Sequence, residues 1–209
     1  MYIPQPYAET REDELHRILQ AQPLGVLVTQ GSGGLDANHI PFLLDATPGQ
    51  PTVLLAHVAR ANPVWQTGPN GQEVMVVFRS VDGYISPNWY PGKQETHRRV
   101  PTWNYEAVHA HGRMVGREDA KFLRGVLARL TRHHEASQPV PWKMGDAPAD
   151  YIDELLQHIV GIEIQVTRLE GKRKLNQHHT TADRQGAIDG LTESGKTALA
   201  AAMRDVAPL

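Results

Sequence analysis

The chain has 209 residues, with 21 Lys plus Arg against 23 Asp plus Glu, 11 histidines and no cysteine. That length suits one good core and is short for two ordinary domains. The net charge of -2 lacks the strong positive field of a dedicated nucleic-acid binder. The missing cysteine removes disulfides, Cys-type zinc sites, iron–sulfur clusters and a Cys nucleophile together.

The chain starts MYIPQPYAETREDE, an extended arm by its prolines and tyrosines, with no basic segment leading into an apolar one. It contains no apolar run of membrane-spanning length, so the expected location is the cytoplasm and no membrane contact is expected. Thr10 followed by Asp13 reads as a weak capping box. Leu15, Ile18 and Leu19 then repeat at helical spacing, which predicts a helix over 11–21 that ends before Pro23. Three strands with short turns follow, at 24–29, 37–44 and 52–58, and suggest an antiparallel meander. Residues 74–79 and 83–86 predict a hairpin across Ser80–Asp82. Residues 87–103, with three prolines and two tryptophans, form an irregular segment of a length that is usually functional or interfacial.

Residues 105–117 alternate like a strand. Leu123, Val126, Leu127 and Leu130 predict a helix over 118–135, and 149–159 a second, shorter one. Residues 161–169 alternate again, and 181–206 form a helical tail. Consecutive strands with segregated helices make an α+β fold rather than a doubly wound one. A six-stranded antiparallel sheet closed as a small barrel would remove the exposed edges. No dinucleotide fingerprint, phosphate-binding P-loop or nucleophile elbow is present.

Four constellations carry chemistry. In HVARANPVW, residues 57–65, Arg60 offers a fork of donors suited to phosphate, and Asn62 can cap a short helix opened by Pro63. The aromatic cluster of 84–90 and 101–105 suits either a flat π-rich ligand or a subunit interface. Residues 172–179, KRKLNQHH, concentrate cations and amides, enough for one or two contacts to a phosphate or a polar ring edge. His109 and His111 would share one face of a strand, but no acidic residue at a supporting spacing completes a metal set, and no metal is assigned. Adjacent His133 and His134 diverge on their helix, whose C-terminus favours cations. The stretch 93–133 holds nine Lys/Arg against four Asp/Glu, a polarity suited to an anion or simply to a solvated face.

MYIP at the start, HIPF at 39–42, HVARANPVW at 57–65, YISPNWY at 84–90, VPTWNY at 100–105, VHAHG at 108–112 and KLNQ at 174–177 occur in this order. Together they resemble the PaiB-type family of FMN-binding negative transcriptional regulators, from residue 1 to about 190. The resemblance implies one domain over 1–209: an antiparallel split β-barrel of the pyridoxamine-phosphate-oxidase type with peripheral helices. It also implies a homodimer with non-covalent FMN at the interface, and a role as a negative regulator. Carried onto this chain, it makes Arg60 and Asn62 the expected phosphate and ribityl contacts, with His57 in the same motif, and Lys174 and Gln177 donors from the tail. Tyr84, Ser86, Trp89 and Trp103 would line the flavin. One departure is local: the family commonly reads K-L-S-Q-N where this chain has Lys174-Leu175-Asn176-Gln177-His178.

Two other readings stand beside it. A flavin-dependent oxidoreductase of this fold would need an acid or base, for which His57, His109 and His111 are the candidates; no catalytic residue is assigned. Haem bound through histidine is a minor alternative. Direct DNA contact is left open, since no helix-turn-helix with a basic recognition helix is found.

Overall fold

Period-two and period-3.6 apolar patterns become eight strands and six α-helices in the computed structural model, which describes residues 1–66, 68 and 70–207. The chain divides into two compact units. One takes Pro23–Val77 and Ala110–Leu169; the other takes Met1–Gln22, Phe78–His109 and everything from Glu170 onward. Three long strands, β6 (Gln72–Ile85), β7 (Thr102–Arg117) and β8 (Ile159–Lys174), run through both. Among the described residues no helix is long and apolar enough to cross a membrane.

In the first unit, β2 (Leu24–Gly31) and β3 (Gly34–Pro41) form a hairpin in full antiparallel register, from Leu24↔Pro41 to Gly31↔Gly34. Gly34 closes the turn at φ 106, a value only glycine adopts freely. The strand expected over 37–44 is broken at Phe42, and β4 (Leu43–Asp45) pairs instead with β5 (Val53–Ala59). β5 in turn pairs with β8, from Val53↔Gln165 to Ala59↔Ile159. The strand order is β3-β2-β6-β7-β8-β5-β4. The two ends of that path are separated only by buried Phe42, so within this unit the sheet curls back on itself. The expected three-strand meander is therefore corrected: β3 pairs with β2, and β5 sits between β4 and β8. Leu27, Leu54, Val76, Ile162 and Ile164 are buried by the pleat. Helix α3 (Ala120–Glu135) is capped by Asp119, whose Oδ1 accepts from Phe122 N at 2.7 Å. It lays Val126 and Leu130 on Leu55. Helix α4 (Ala149–Gln157) packs Ile152 and Leu156 on Leu123.

In the second unit, β1 (Ala8–Glu9) pairs with the end of β8, Ala8↔Lys172 and Glu9↔Gly171. This pairing carries the last strand five residues beyond the expected end at Leu169, to Lys174. Helix α1 (Glu12–Ala21) buries Leu15, Ile18 and Leu19 as its spacing predicts, but Arg11, not Thr10, stands at its N-cap. The Glu9 side chain takes the Arg11 N–H at 2.9 Å. The hairpin expected across Ser80–Asp82 is also corrected, because β6 runs unbroken through it. Gly83 is there for close packing: a Cβ would sit 2.9 Å from Leu199 Cδ2 of α6 (Thr197–Asp205). α6 and α5 (Thr181–Glu193) enclose a core of Ile85, Tyr90, Leu175, Ile188 and Leu191. Arg184, buried in α5, donates to Met203 O at 2.7 Å and Val206 O at 2.6 Å. It thereby satisfies carbonyls that the end of α6 leaves open.

A Cβ at Gly190 would lie 2.4 Å from the Trp89 ring. Gly190→Ala is therefore expected to cost about 1–3 kcal/mol through overpacking, read as a lowered midpoint in thermal unfolding. An unchanged midpoint would mean that the ring moves aside freely.

Candidate functional site

In the second unit, a cleft of about 460 Å³ opens between the N-terminal arm, the segment after α2 (Gly92–Thr96) and the turn after β8. Tyr7, Arg98, Arg99, Lys174, His178 and His179 line it. His97 ends α2 in the left-handed region at φ 54, and the next two residues are the arginines. Arg99 is held by Asp183 at the start of α5, Nε to Oδ2 at 2.7 Å, while Gly92 N donates to Oδ1 at 2.8 Å. Lys174 Nζ donates to the Trp103 carbonyl at 2.8 Å and to the Thr102 hydroxyl. Tyr7 Oη and His178 Nδ1 share a hydrogen bond of 2.9 Å. The His179 ring stacks on Tyr90 at 4.8 Å.

The electrostatics of this cleft are positive. Burial, and then the neighbouring Lys172 charge, push the Lys174 ammonium below its ordinary pKa. Burial and Lys174 do the same to His178. Burial, His178 and Arg99 lower His179, although Asp183 opposes them. Burial is the larger cause of each shift and disfavours any charge; the cationic neighbours that add to it are what favour an anion here. Asp183 is committed to Arg99, while Arg98 and Lys174 have no carboxylate partner among the described residues. A phosphate monoester, with two charges and several acceptor oxygens, fits this donor set.

The next residue along β7 from Thr102 carries one half of an aromatic pair. Tyr84 and Trp103 stand edge to face at 6.4 Å and are 49% and 48% exposed. Trp103 Nε1 donates to Asp82 Oδ1 at 3.0 Å. Lys174 meets this pair only through the Trp103 backbone, whose carbonyl it grips. The other expected residues of this unit hold the scaffold. Ser86 Oγ accepts from Asn88 N at 3.2 Å and caps a 3-10 turn, Pro87–Trp89. Trp89 packs on the helical core. Gln177 is buried: its Oε1 accepts from Leu175 N at 2.8 Å and its Nε2 donates to Arg173 O at 2.5 Å. That closes a turn through Asn176, which sits at φ 62 and donates to Tyr90 Oη at 2.8 Å.

His57, Arg60 and Asn62 lie in the first unit, at the end of β5. His57 is half-buried, and burial lowers its pKa. Arg60 donates from Nε to Gln157 O at 2.8 Å, and NH1 reaches Glu118 at 2.5 Å. Asn62 Oδ1 accepts from Val64 N at 3.0 Å, capping the 3-10 turn Pro63–Trp65 as its spacing predicts, and its Nδ2 donates to Asn38 Oδ1 at 2.8 Å. No motif in the sequence singles out Arg98 or Arg99; the excess of cations over 93–133 is their only signal, and Asp183, 84 residues from Arg99, gives none.

Known proteins frame this geometry. The family described as "Putative FMN-binding domain" matches residues 1–168. The chain is 30% identical to the protease synthase and sporulation protein PAI 2 of Bacillus subtilis, covering 91% of this chain and 89% of that one. It is 32% identical to an uncharacterised protein of Aspergillus fumigatus, covering 93% and 92%. Among solved structures, the FAD and haem binding protein of Mycobacterium smegmatis overlays with a TM-score of 0.60 at 17% identity, over 87% of this chain and 80% of that one. A conserved hypothetical protein of Mycobacterium tuberculosis gives 0.56 at 14%, over 87% and 96%. At these identities the likeness is one of fold, and the fold is the antiparallel split-barrel class with flanking helices that the motifs imply. The family match supports flavin binding.

Burial alone would raise the Asp183 carboxyl, but the Gly92 N–H and the Arg99 guanidinium outweigh it and hold it below its ordinary value. A depressed carboxylate stabilises the fold above its unfolded pKa of about 4 and loses that contribution as pH falls through the lower folded value. Asp183→Asn is expected to lower stability at pH 7 by about 1–3 kcal/mol and to flatten the acid limb of a stability-versus-pH curve below about pH 4. A variant as acid-sensitive as wild type would show that this pair is not responsible.

Proposed function

We propose that this chain, which belongs to the PaiB-type FMN-binding domain family, binds FMN without a covalent bond. In this reading Lys174 and Arg98 hold the phosphate and the Tyr84–Trp103 surface receives the ring system. One observation carries it: Lys174 stands in the cationic cleft and grips the backbone of the exposed tryptophan beside it. When bound, FMN supplies reversible hydride or electron transfer. The chain's own part is to bind and orient. Thr102 and the Trp103 carbonyl fix Lys174 Nζ, Tyr7 fixes His178, and Asp183 keeps Arg99 in place at the cleft wall.

A homodimer belongs to the same reading, because large aromatic side chains at half exposure are what interfaces enrich and cover. A regulatory output, negative control of transcription, is supported by the identity with the Bacillus subtilis protein, whose name ties it to protease synthesis and sporulation. The overall charge of -2 favours an output that does not depend on gripping DNA through its backbone charge. Arg60 and Asn62 stay in the proposal as phosphate or ribityl contacts, alongside the scaffold bonds they make.

Titrating FMN with protein and following flavin fluorescence tests the assignment. Wild type should quench saturably at micromolar protein. Lys174→Met and Arg98→Ala should each weaken binding by about tenfold or more, as expected for losing one charge-assisted contact. No saturable quenching, or both variants binding as wild type does, would overturn it. For Arg60→Ala, a lowered unfolding midpoint with unchanged FMN affinity would leave Arg60 as scaffold alone; weakened binding would make it a contact.

A further inference from the structure

The first unit carries a second cavity that the flavin reading does not use. It lies between α3, α4 and the connection that joins them, and measures about 340 Å³, inside the range of small-ligand pockets. Leu127, Met144, Ile152, Leu156, Leu155 and Trp142 wall it. Leu155 and Trp142 are each 43% exposed, so their apolar faces are not accounted for by the core. His57 and His158 also border it. Burial keeps the His57 imidazole below its ordinary pKa, so the ring is neutral at pH 7 and this chamber carries no formal carboxylate, lysine or arginine charge.

A second chamber, of about 410 Å³, adjoins it and shares Thr131, Trp142 and Met144. Its character is different, because Arg132, Lys143 and Glu135 line it. Glu135 is occupied, accepting from Trp142 N at 2.9 Å, which also pins the tryptophan at the junction of the two chambers. Arg132 and Lys143 have no ion pair among the described residues. The arrangement is thus an apolar chamber opening onto two cations without ion pairs, which outnumber the single carboxylate, Glu135, beside them. Apolar surface of this kind, rimmed by charge, marks a binding site more often than a bare face.

We propose that this two-chambered groove binds a small amphiphilic carboxylate, its hydrocarbon or aryl body in the apolar chamber and its carboxylate at Arg132 and Lys143. The proposal does not depend on the Lys174 cleft, all of whose lining residues belong to the other unit. A monocarboxylate suits the two cations, and its body gains roughly 25 cal/mol for each Å² of apolar surface removed from water.

Isothermal titration with octanoate, and with 1-octanol as the uncharged control, tests it on the full chain. Wild type should bind octanoate saturably, one per chain, and octanol about a hundredfold more weakly, the loss of two charge-assisted contacts. Arg132→Ala combined with Lys143→Ala should reduce octanoate to the level of octanol, with an unchanged unfolding midpoint. Leu155→Glu, at a half-exposed position, should abolish octanoate binding while circular dichroism and FMN titration stay as in wild type. Absence of saturable octanoate binding, octanol as tight as octanoate, or full affinity in the double variant would each overturn the proposal. Conversion of a dimer to monomers by Leu155→Glu, read by light scattering, would give the groove to a second copy and overturn it as well.

Discussion

Arg173 is almost fully buried near the end of β8, and carboxylates from four other segments converge on it. Its Nε donates to Glu106 of β7 at 2.7 Å. NH1 faces Glu14 of α1 at 3.2 Å and Glu9 of β1 at 3.6 Å, and NH2 reaches Asp205 at the end of α6 at 3.0 Å. Glu106, wholly buried, also accepts from Arg17 at 3.0 Å. Such a network is weak evidence for net stability, because desolvation offsets much of the attraction. What it does firmly is fix register, since removing one partner from a buried pair costs about 3–5 kcal/mol. The N-terminal arm, α1, the two strands and the C-terminal helix are all tied to one guanidinium.

The cleft inherits its geometry from that point. Neighbouring residues on a strand face opposite ways, so burying Arg173 turns Lys174 toward Thr102 and Trp103. Gln177 then bonds the Arg173 carbonyl and the Leu175 N–H, and Asn176 takes a left-handed conformation anchored on Tyr90. The chain thereby delivers His178 to Tyr7 and His179 to the Tyr90 face. The cationic cleft is the solvent-facing consequence of a buried charge pair one residue away.

This explains what the sequence displays and what it hides. Local signals read true where one interaction decides them: Asn62 before Pro63 caps a short helix, and Leu123, Val126 and Leu130 form one buried face. The family motifs carry the fold class over nearly the whole chain. Gly83 misleads, because glycine beside aspartate has the composition of a turn, and only tertiary structure shows that Leu199 requires the space. The KLNQ motif is legible as polar and cationic, but its division of labour is not. Lys174 faces the cleft while Gln177 is consumed by backbone groups on either side of it. Glu106, a charged residue on the buried face of an alternating strand, is the sequence hint of the buried network; its partners lie 67 and 89 residues away.

Phosphate binding by the cations around Lys174 is tested most directly by comparing the affinities of FMN and riboflavin for the same protein, since the two ligands differ only in that phosphate. Two charge-assisted contacts predict that FMN binds about a hundredfold more tightly or better, with the advantage shrinking as salt is added. Equal affinities for FMN and riboflavin would contradict the account.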